Sequence, residues 1–251
     1  MALVSIITPV YNSSDFILDS IKSVVNQTVE DWELILVDDC SSDSTAQIIK
    51  NYALTDSRVK FFQLEKNSGA AVARNFAINE ARGRYIAFLD SDDLWHEEKL
   101  SKQLSFMQDN QVAFTYSSYQ QIDEEGNSLS EISVPSKVGY KQLLKTNVIG
   151  CLTVIYDTEM IGKHEMPLIR KRQDFGLWLK LLKTVDYAYG IKEPLAFYRV
   201  RKGSISSNKL SAAKFTWDLY RKIECLPLHK ALYYFSCYAI GGIAKSCFLK
   251  T

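Results

Sequence analysis

Tyr85-Ile86-Ala87-Phe88-Leu89-Asp90-Ser91-Asp92-Asp93 begins as an apolar run and ends in carboxylates. A short apolar run bounded by polar residues reads as a strand, here over Tyr85–Asp90. A strand that ends this way places negative charge at its carboxyl end, where open α/β sheets hold their ligands.

Toward the N-terminus the same rhythm recurs. Strands are predicted at Leu3–Pro9, Trp32–Asp38 and Val59–Leu64, separated by helices at about Asp15–Asn26, Asp43–Tyr52 and Ala70–Ala81. Ile17, Ile21 and Val24 fall on one face of the first helix. This alternation predicts an α/β fold built on an open, mainly parallel sheet. After Asp90 the pattern changes to a helix over Glu97–Asp109, a strand near Ala113–Tyr119 and a polar turn at Asp123-Glu124-Glu125-Gly126-Asn127. An amphipathic helix over Asp174–Thr184 and a strand over Leu195–Val200 follow, so the second half is expected to be mixed. No repeat, low-complexity tract or flexible linker interrupts the chain.

All of the predicted strand ends in the first half are polar: Thr8-Pro9-Val10-Tyr11-Asn12, Asp38-Asp39, Asn67-Ser68-Gly69 and Asp90-Ser91-Asp92-Asp93. Neither G-x-G-x-x-G after the first strand nor G-x-x-x-x-G-K-[ST] occurs, so glycine backbone is not the device that would bind phosphate. A hard divalent cation on carboxylate oxygens would neutralise a diphosphate instead, and Asp90-x-Asp92 suits Mg²⁺ or Mn²⁺. The competing reading of Asp92 or Asp93 is helix capping ahead of Glu97 and Glu98, and the same holds for Asp39, Ser41 and Ser42 before the second helix. Tyr11 is either a surface aromatic or a ring placed to stack on a nucleobase.

Taken in order, Ile7-Thr8-Pro9-Val10-Tyr11-Asn12, Val37-Asp38-Asp39-Cys40-Ser41, Ala73-Arg74-Asn75 and Phe88-Leu89-Asp90-Ser91-Asp92-Asp93 resemble a family 2 glycosyltransferase of the GT-A fold, bacterial surface-polysaccharide type. The resemblance covers roughly residues 3 to 205, and the ordered set is far more specific than an isolated D-x-D. It implies an inverting enzyme that transfers a sugar from a UDP-sugar, with Mn²⁺ or Mg²⁺, to a saccharide or lipid-linked saccharide acceptor. By the same resemblance Pro9, Tyr11, Asn12 and Asp39 hold the nucleotide, Asp39 accepting from the uracil N3–H. Arg74 lies near the nucleotide, Asp90 contacts the ribose or metal region and Asp92 coordinates the metal, while Asp93 is left as the cap. The implied organisation is a nucleotide-sugar half over 1–110, an acceptor half over 111–210 and a C-terminal helical segment over 211–251.

Inverting enzymes of this kind need a carboxylate to remove the acceptor proton. Asp174, in Arg170-Lys171-Arg172-Gln173-Asp174-Phe175-Gly176-Leu177-Trp178-Leu179, resembles the Asp of the family's Glu-Asp motif, with Gln173 in place of the Glu. Read without the resemblance, Asp174 is an N-cap and Trp178, Leu181 and Leu182 are core. The run Arg170-Lys171-Arg172 is either a solvated face or a contact for a diphosphate or an anionic lipid-linked acceptor. Tyr198-Arg199-Val200-Arg201-Lys202-Gly203-Ser204-Ile205-Ser206 resembles a loop that closes over the donor. Arg201 stands where the family often has a histidine, so Arg199 and Arg201 are diphosphate or donor-loop candidates, or Arg201 is an exposed loop charge.

Composition adds limits. The 251 residues carry a formal net charge of +1, which supplies no global field for nucleic acid. Five cysteines without C-x-x-C argue against a disulfide framework or zinc ribbon, and no basic n-region precedes a long apolar stretch, so a cytoplasmic location is expected. His96, His164 and His229 lack metal-ligand spacing and read as structural. From Leu228 onward the chain is apolar and aromatic, with Lys230, Lys245 and Lys250 interspersed. It falls short of the ~18–20 residues that span a bilayer and reads either as an interfacial helix on the inner face of the cell membrane or as a packed helix. Two other functions share this pattern: a sugar nucleotidyltransferase and a nucleotide-sugar-binding subunit without turnover.

Overall fold

The structure is a computed structural model that describes residues 3–201 and 209–248. Strands β1 (Val4–Val10), β2 (Trp32–Asp38), β3 (Val59–Gln63) and β4 (Tyr85–Phe88) alternate with helices α1 (Ile17–Val25), α2 (Thr45–Ala53) and α3 (Ala70–Glu80). They lie in the order β3-β2-β1-β4 and every pairing among them is parallel. The second half adds β5 (Leu94–Trp95), α4 (Lys99–Asn110), β6 (Phe114–Ile122), β7 (Ser128–Ile132), β8 (Lys137–Val138) and α5 (Tyr140–Leu143). A 3₁₀ turn at Cys151–Thr153, β9 (Ile155–Asp157), α6 (Thr158–Ile161), α7 (Gln173–Leu181) and β10 (Ala188–Arg199) follow. Helix α8 (Lys209–Asp218), a π-helical turn at Leu219–Ile223 and α9 (Leu228–Phe248) close the described chain.

The sheet continues from β4 through β9, β6 and β10 to β5. Strand β9 runs antiparallel to both β4 and β6, whereas β10 is parallel to β6, which is the expected mixed half. Neighbouring residues on a strand point to opposite faces, and both faces of the parallel half are covered. Ile7, Ile35 and Val37 pack with Ala73 and Ala77 of α3 and Trp178 of α7, while Ile6, Leu34 and Leu36 pack with Ile17 and Ile21 of α1 and Leu100 of α4. Every residue of β1 and β2 is therefore buried, and their sequences read as apolar runs rather than alternations.

Pro9 fits a central strand because of where β4 stops. Leu89 N donates to Ile7 O and Asp39 N to Val10 O, so the odd positions of β1 face β4 and the even ones β2. Pairing to β4 ends at Ile7 with Phe88, so the N–H that proline lacks falls beyond the ladder.

Several boundaries differ from the sequence reading. Strand β4 ends at Phe88, and Asp90 already belongs to a turn in which Asp93 N donates to Asp90 O at 3.1 Å. Strand β10 starts at Ala188 rather than Leu195, crossing Pro194 by two register shifts that absorb the missing donor. The polar turn at Asp123–Asn127 closes a β6–β7 hairpin in which Asn127 N donates to Asp123 Oδ1 at 2.7 Å.

Helix α7 carries the residues of most interest. Trp178 meets Phe88 at 5.4 Å and Phe114 at 5.7 Å between ring centres, pinning the helix across β4 and β6. At Gly176 a Cβ would lie 2.5 Å from Pro167 Cγ, so only glycine permits this approach. The expected core role of Trp178, Leu181 and Leu182 holds. At the C-terminal end, Ala231 is fully buried and Phe235 packs 5.4 Å from Trp217, while Leu228, Leu232, Tyr233 and Ile240 of α9 are exposed. No helix among the described residues is long and apolar enough to cross a membrane. Residues 202–206 of the expected donor loop, and Lys245, Cys247 and Lys250, lie outside the described side chains.

Candidate functional site

A cavity of about 660 Å³ opens beyond the carboxyl ends of β1, β2 and β4. Pro9, Tyr11, Asp39, Arg74, Asp90, Asp92 and Asp174 all line it, as do Arg199 and Arg201. Asn12 does not. Its Oδ1 accepts from Ser42 N at 2.9 Å and its own N–H donates to Ser41 Oγ at 2.9 Å, so it fastens the end of β1 to the loop after β2.

Asp39 is 3% exposed, and its two oxygens accept from Ser68 N at 2.6 Å and Gly69 N at 2.7 Å. Gly69 has φ 93°, a conformation that favours glycine, and this turn delivers both N–H groups to one carboxylate. Each carboxylate oxygen keeps a further lone pair, so Asp39 braces the loop before α3 and still has acceptor capacity toward the cavity. Tyr11 is half exposed at the rim, and neither Asp39, Ser41 nor Ser42 caps α2.

Arg74 projects from α3 and is 7% exposed. It forms an ion pair with Asp90 through Nη2, and Nη1 donates to the Gln173 carbonyl at 2.6 Å, whose amide donates to Ile169 O at 2.8 Å. Burial opposes its charge, but Asp90, with help from Cys151 and Asp174, drives its pKa above the ordinary arginine value. Arg74 Nε is buried without a hydrogen-bond partner. Gln173 thus joins the base of α7 to α3, a role that sequence spacing did not signal.

Asp92 is partly exposed, and Arg201 Nη1 lies 3.1 Å from its Oδ2. Burial and then the neighbouring Asp90 charge push its pKa up, against the pull of Arg201. The expectation that Asp93 is a helix cap is not met. Helix α4 begins at Lys99 with no side-chain cap, and Asp93 is 1% exposed with Oδ1 accepting from Arg199 N at 2.8 Å. Burial, then Asp92 and Asp90, raise its pKa well above the usual carboxylate value.

Arg199 lines the cavity, yet its guanidinium donates to Asp92 O at 2.8 Å, Glu124 O at 2.8 Å and Asp123 O at 3.2 Å. Its geometry is that of a strut between β10, the Asp-rich turn and the β6–β7 hairpin. Ser20 Oγ of α1 braces the same turn from the other side, contacting Asp93 O at 2.7 Å and Ser91 O at 3.0 Å.

Asp174 occupies the first turn of α7, one residue inside a helix whose N-cap position is Arg172. It is not a cap. The helix N-terminus and its positive end favour the ionised form. Burial outweighs this and raises the pKa above the ordinary value, even though the Phe175 N–H, Arg74 and Arg172 pull it down. A partly buried carboxylate at a cavity wall, its pKa raised, takes up a proton more readily than a free aspartate and is suited to a base role.

Backbone strain gathers at this rim. Asn12 (φ 46°), Cys40 (φ 63°) and Arg172 (φ 66°) are left-handed without being glycine, and they adjoin Tyr11, Asp39 and Gln173. Cys151 also lines the cavity; burial raises its pKa well above the thiol value, and in the sequence it carried no spacing signal. Arg170, Lys171 and Arg172 line the same cavity.

The family model for glycosyl transferase family 2 matches residues 5–162, a span that contains the parallel half of the sheet and the Asp-rich turn. The chain belongs to glycosyl transferase family 2. It is a glycosyltransferase, which selects glycosyl over nucleotidyl transfer. The chain is 49% identical over 244 residues to the candidate teichuronic acid biosynthesis glycosyltransferase TuaG of Bacillus subtilis, covering 97% of each protein. It is 41% identical over 247 residues to UDP-Glc:alpha-D-GlcNAc-diphosphoundecaprenol beta-1,3-glucosyltransferase WfgD of Escherichia coli, covering 98% of this chain and 96% of WfgD. Among solved structures, S. aureus TarS in complex with UDP-GlcNAc shares the fold with a TM-score of 0.73 at 21% identity, covering 95% of this chain and 72% of that one. This family 2 member therefore has the GT-A fold expected from its strand-end motifs.

Proposed function

We propose that this glycosyltransferase moves a sugar from a UDP-sugar to a hydroxyl of a lipid-linked saccharide, with inversion and with Mn²⁺ or Mg²⁺, in surface-polysaccharide synthesis. The observation that carries this reading is that Asp39, Asp92 and Asp174 line one cavity. WfgD, whose name specifies a UDP-Glc donor and a diphosphoundecaprenol acceptor, supports the donor and acceptor classes.

In this reading Asp39 accepts from the uracil N3–H, and Pro9 and Tyr11 flank the base. Arg74 sits beside the nucleotide and holds Asp90 in place. Asp174 takes the acceptor proton as the hydroxyl oxygen attacks the anomeric carbon, and the donor carbon–oxygen bond to UDP breaks on the opposite face. Removal by a single carboxylate base in one in-line step inverts the anomeric centre.

A divalent ion fits the donor set. Asp90 and Asp92 carry like charges close enough to raise the Asp92 pKa, a repulsion that a cation relieves. Among the described residues no group of three or more metal-ligating side chains forms, so Asp92, with Asp90 near it, would hold an ion completed by substrate phosphates. When bound, the ion offsets diphosphate charge. Arg201, beside Asp92, adds positive charge to the leaving group, and Arg199 holds the turn.

Residues 1–110 form the nucleotide-sugar half and residues 111–210 the acceptor half in this reading. Segment 211–251 lays the exposed Leu228, Leu232, Tyr233 and Ile240 of α9 on the anionic inner face of the cell membrane. The test is UDP release from a panel of UDP-sugars with a diphosphate-lipid-linked N-acetylglucosamine acceptor. Metal-dependent, acceptor-dependent release is expected. UDP binding without transfer or hydrolysis of any donor would favour a non-catalytic subunit.

A further inference from the structure

We propose that Ser13 and Ser91 are positioning residues that fasten the nucleobase end of the cavity to the Asp90–Asp92 turn, so that the base and the ion-bound diphosphate of one donor are held at a fixed separation. The inference rests on the UDP and divalent-ion reading above and adds to it the device that joins its two ends.

The sheet leaves this junction open. On the β2 side the ladder runs to the end of β1, with Val10 opposite Asp38 and then Asp39 N donating to Val10 O, so the end of β1 stays tied to Asp39. On the β4 side it stops early. The last pair is Ile7 with Phe88, and the bond from Leu89 N to Ile7 O closes that ladder. Residues 8–12 and 90–93, which carry the base and metal candidates, therefore lie past the backbone pairing of the two strands.

Side chains bridge the gap. Ser13 Oγ lies 2.7 Å from Ser91 Oγ and donates to Tyr11 O at 3.2 Å. A hydroxyl has one proton to give, so with that of Ser13 on Tyr11 O, Ser91 is the donor to Ser13. A hydrogen-bonded chain thus runs from the middle of the Asp90–Asp92 turn to the carbonyl of the residue that flanks the base. Both of its members are anchored: Ser13 N donates to Thr45 Oγ1 of α2 at 2.8 Å, and Ser20 Oγ of α1 donates to Ser91 O at 3.0 Å. Ser13 stands just ahead of α1, yet no side chain caps that helix, so the helix start does not account for its hydroxyl. Ser13 and Ser91 are 3% and 8% exposed and both line the cavity, and a hydrogen bond shielded from water in this way holds its partners more firmly than one at the surface.

Fixed separation matters because UDP grips the cavity at two ends. A ligand held at one end presents the other at high effective concentration only while the two subsites keep the ligand's own span. Loosening the junction leaves the contacts at each end in place and lowers what they gain from being joined.

The experiment measures UDP affinity with Mn²⁺ and with EDTA by calorimetry, and uridine affinity by ligand-observed NMR, in the full chain and in Ser13→Ala, Ser91→Ala and the double variant. Uridine reaches only the base end, so its affinity should match the wild type in every variant, which also reports their fold. The gain in UDP affinity conferred by Mn²⁺ should fall about two- to tenfold in each single variant, the size of one buried hydrogen bond. The double variant should lose no more than either single one, because all three remove the same link. An undiminished gain in the single variants, additive losses in the double variant, or a fall in uridine affinity would each overturn the inference. A wild-type protein with no Mn²⁺ gain would overturn the metal reading and the inference with it, an outcome distinct from a wild-type gain that the variants leave unchanged.

Discussion

Arg199 N donates to Asp93 Oδ1 at 2.8 Å, and this bond ties the end of β10 to the turn that carries Asp92. A buried carboxylate whose pKa is raised well above normal is better imitated by an amide than by a methyl group. Asp93→Ala leaves the Arg199 N–H unsatisfied and should cost about 1–3 kcal/mol in urea unfolding. Asp93→Asn keeps the acceptor and should retain most of the stability. Equal loss in both would show that the carboxylate charge, and not the accepted bond, is what holds the turn.

Arg74 serves two partners with one fork, Asp90 on Nη2 and Gln173 on Nη1. Lysine keeps the charge and cannot reach both in the same geometry. Losing one charge-assisted bond of about 1.5–3 kcal/mol corresponds to roughly a 10- to 100-fold drop in kcat/KM for Arg74→Lys. Steady-state kinetics on a folded variant checks this; wild-type kcat/KM would remove Arg74 from the site.

Gly176 is a mid-helix glycine, where alanine normally gains roughly 1 kcal/mol. Here the added Cβ meets Pro167 Cγ at 2.5 Å and Leu219 Cδ1 at 3.1 Å. Overpacking of this kind costs about 1–3 kcal/mol, so Gly176→Ala should be net destabilised in urea unfolding. A more stable variant would mean that α7 can shift, and that its register does not fix Asp174.

The Asp174 pKa is raised by burial, so the acid limb of the rate profile should lie above the ordinary aspartate value of about 3.9. In the proposed base role the active form is the carboxylate, and kcat should fall as pH drops through that raised pKa. Arg172→Gln removes a charge that pulls the pKa down, so the limb should move to higher pH. A profile flat across the acid range would contradict a base role.

Much of this architecture is legible because β1, β2 and β4 are buried on both faces and announce themselves as apolar runs, each followed by its polar end. Asp39, Arg74, Asp90, Asp92 and Asp174 were found at the cavity because strand and helix termini converge there. Asp93 was misread because a carboxylate near a helix start has a local explanation, and its actual partner, Arg199, is 106 residues away. Cys151 and Gln173 were not singled out for a site role, since neither side chain carries a spacing signal and both are brought to Arg74 only by tertiary packing. Strand β10 extends seven residues ahead of Leu195 because register shifts around Pro194 absorb its missing donor, which no local sequence pattern signals.

The most direct test of the account compares Asp92→Asn with Asp174→Asn, measuring UDP affinity with Mn²⁺ and with EDTA by calorimetry and sugar transfer in parallel. Asp92→Asn should lose the gain in UDP affinity that Mn²⁺ confers. Asp174→Asn should bind UDP as the wild type does and lose about 10²–10⁴-fold in transfer rate, the usual size of a general-base contribution. Wild-type transfer in a folded Asp174→Asn protein, or UDP affinity indifferent to Mn²⁺ in the wild type, would contradict it.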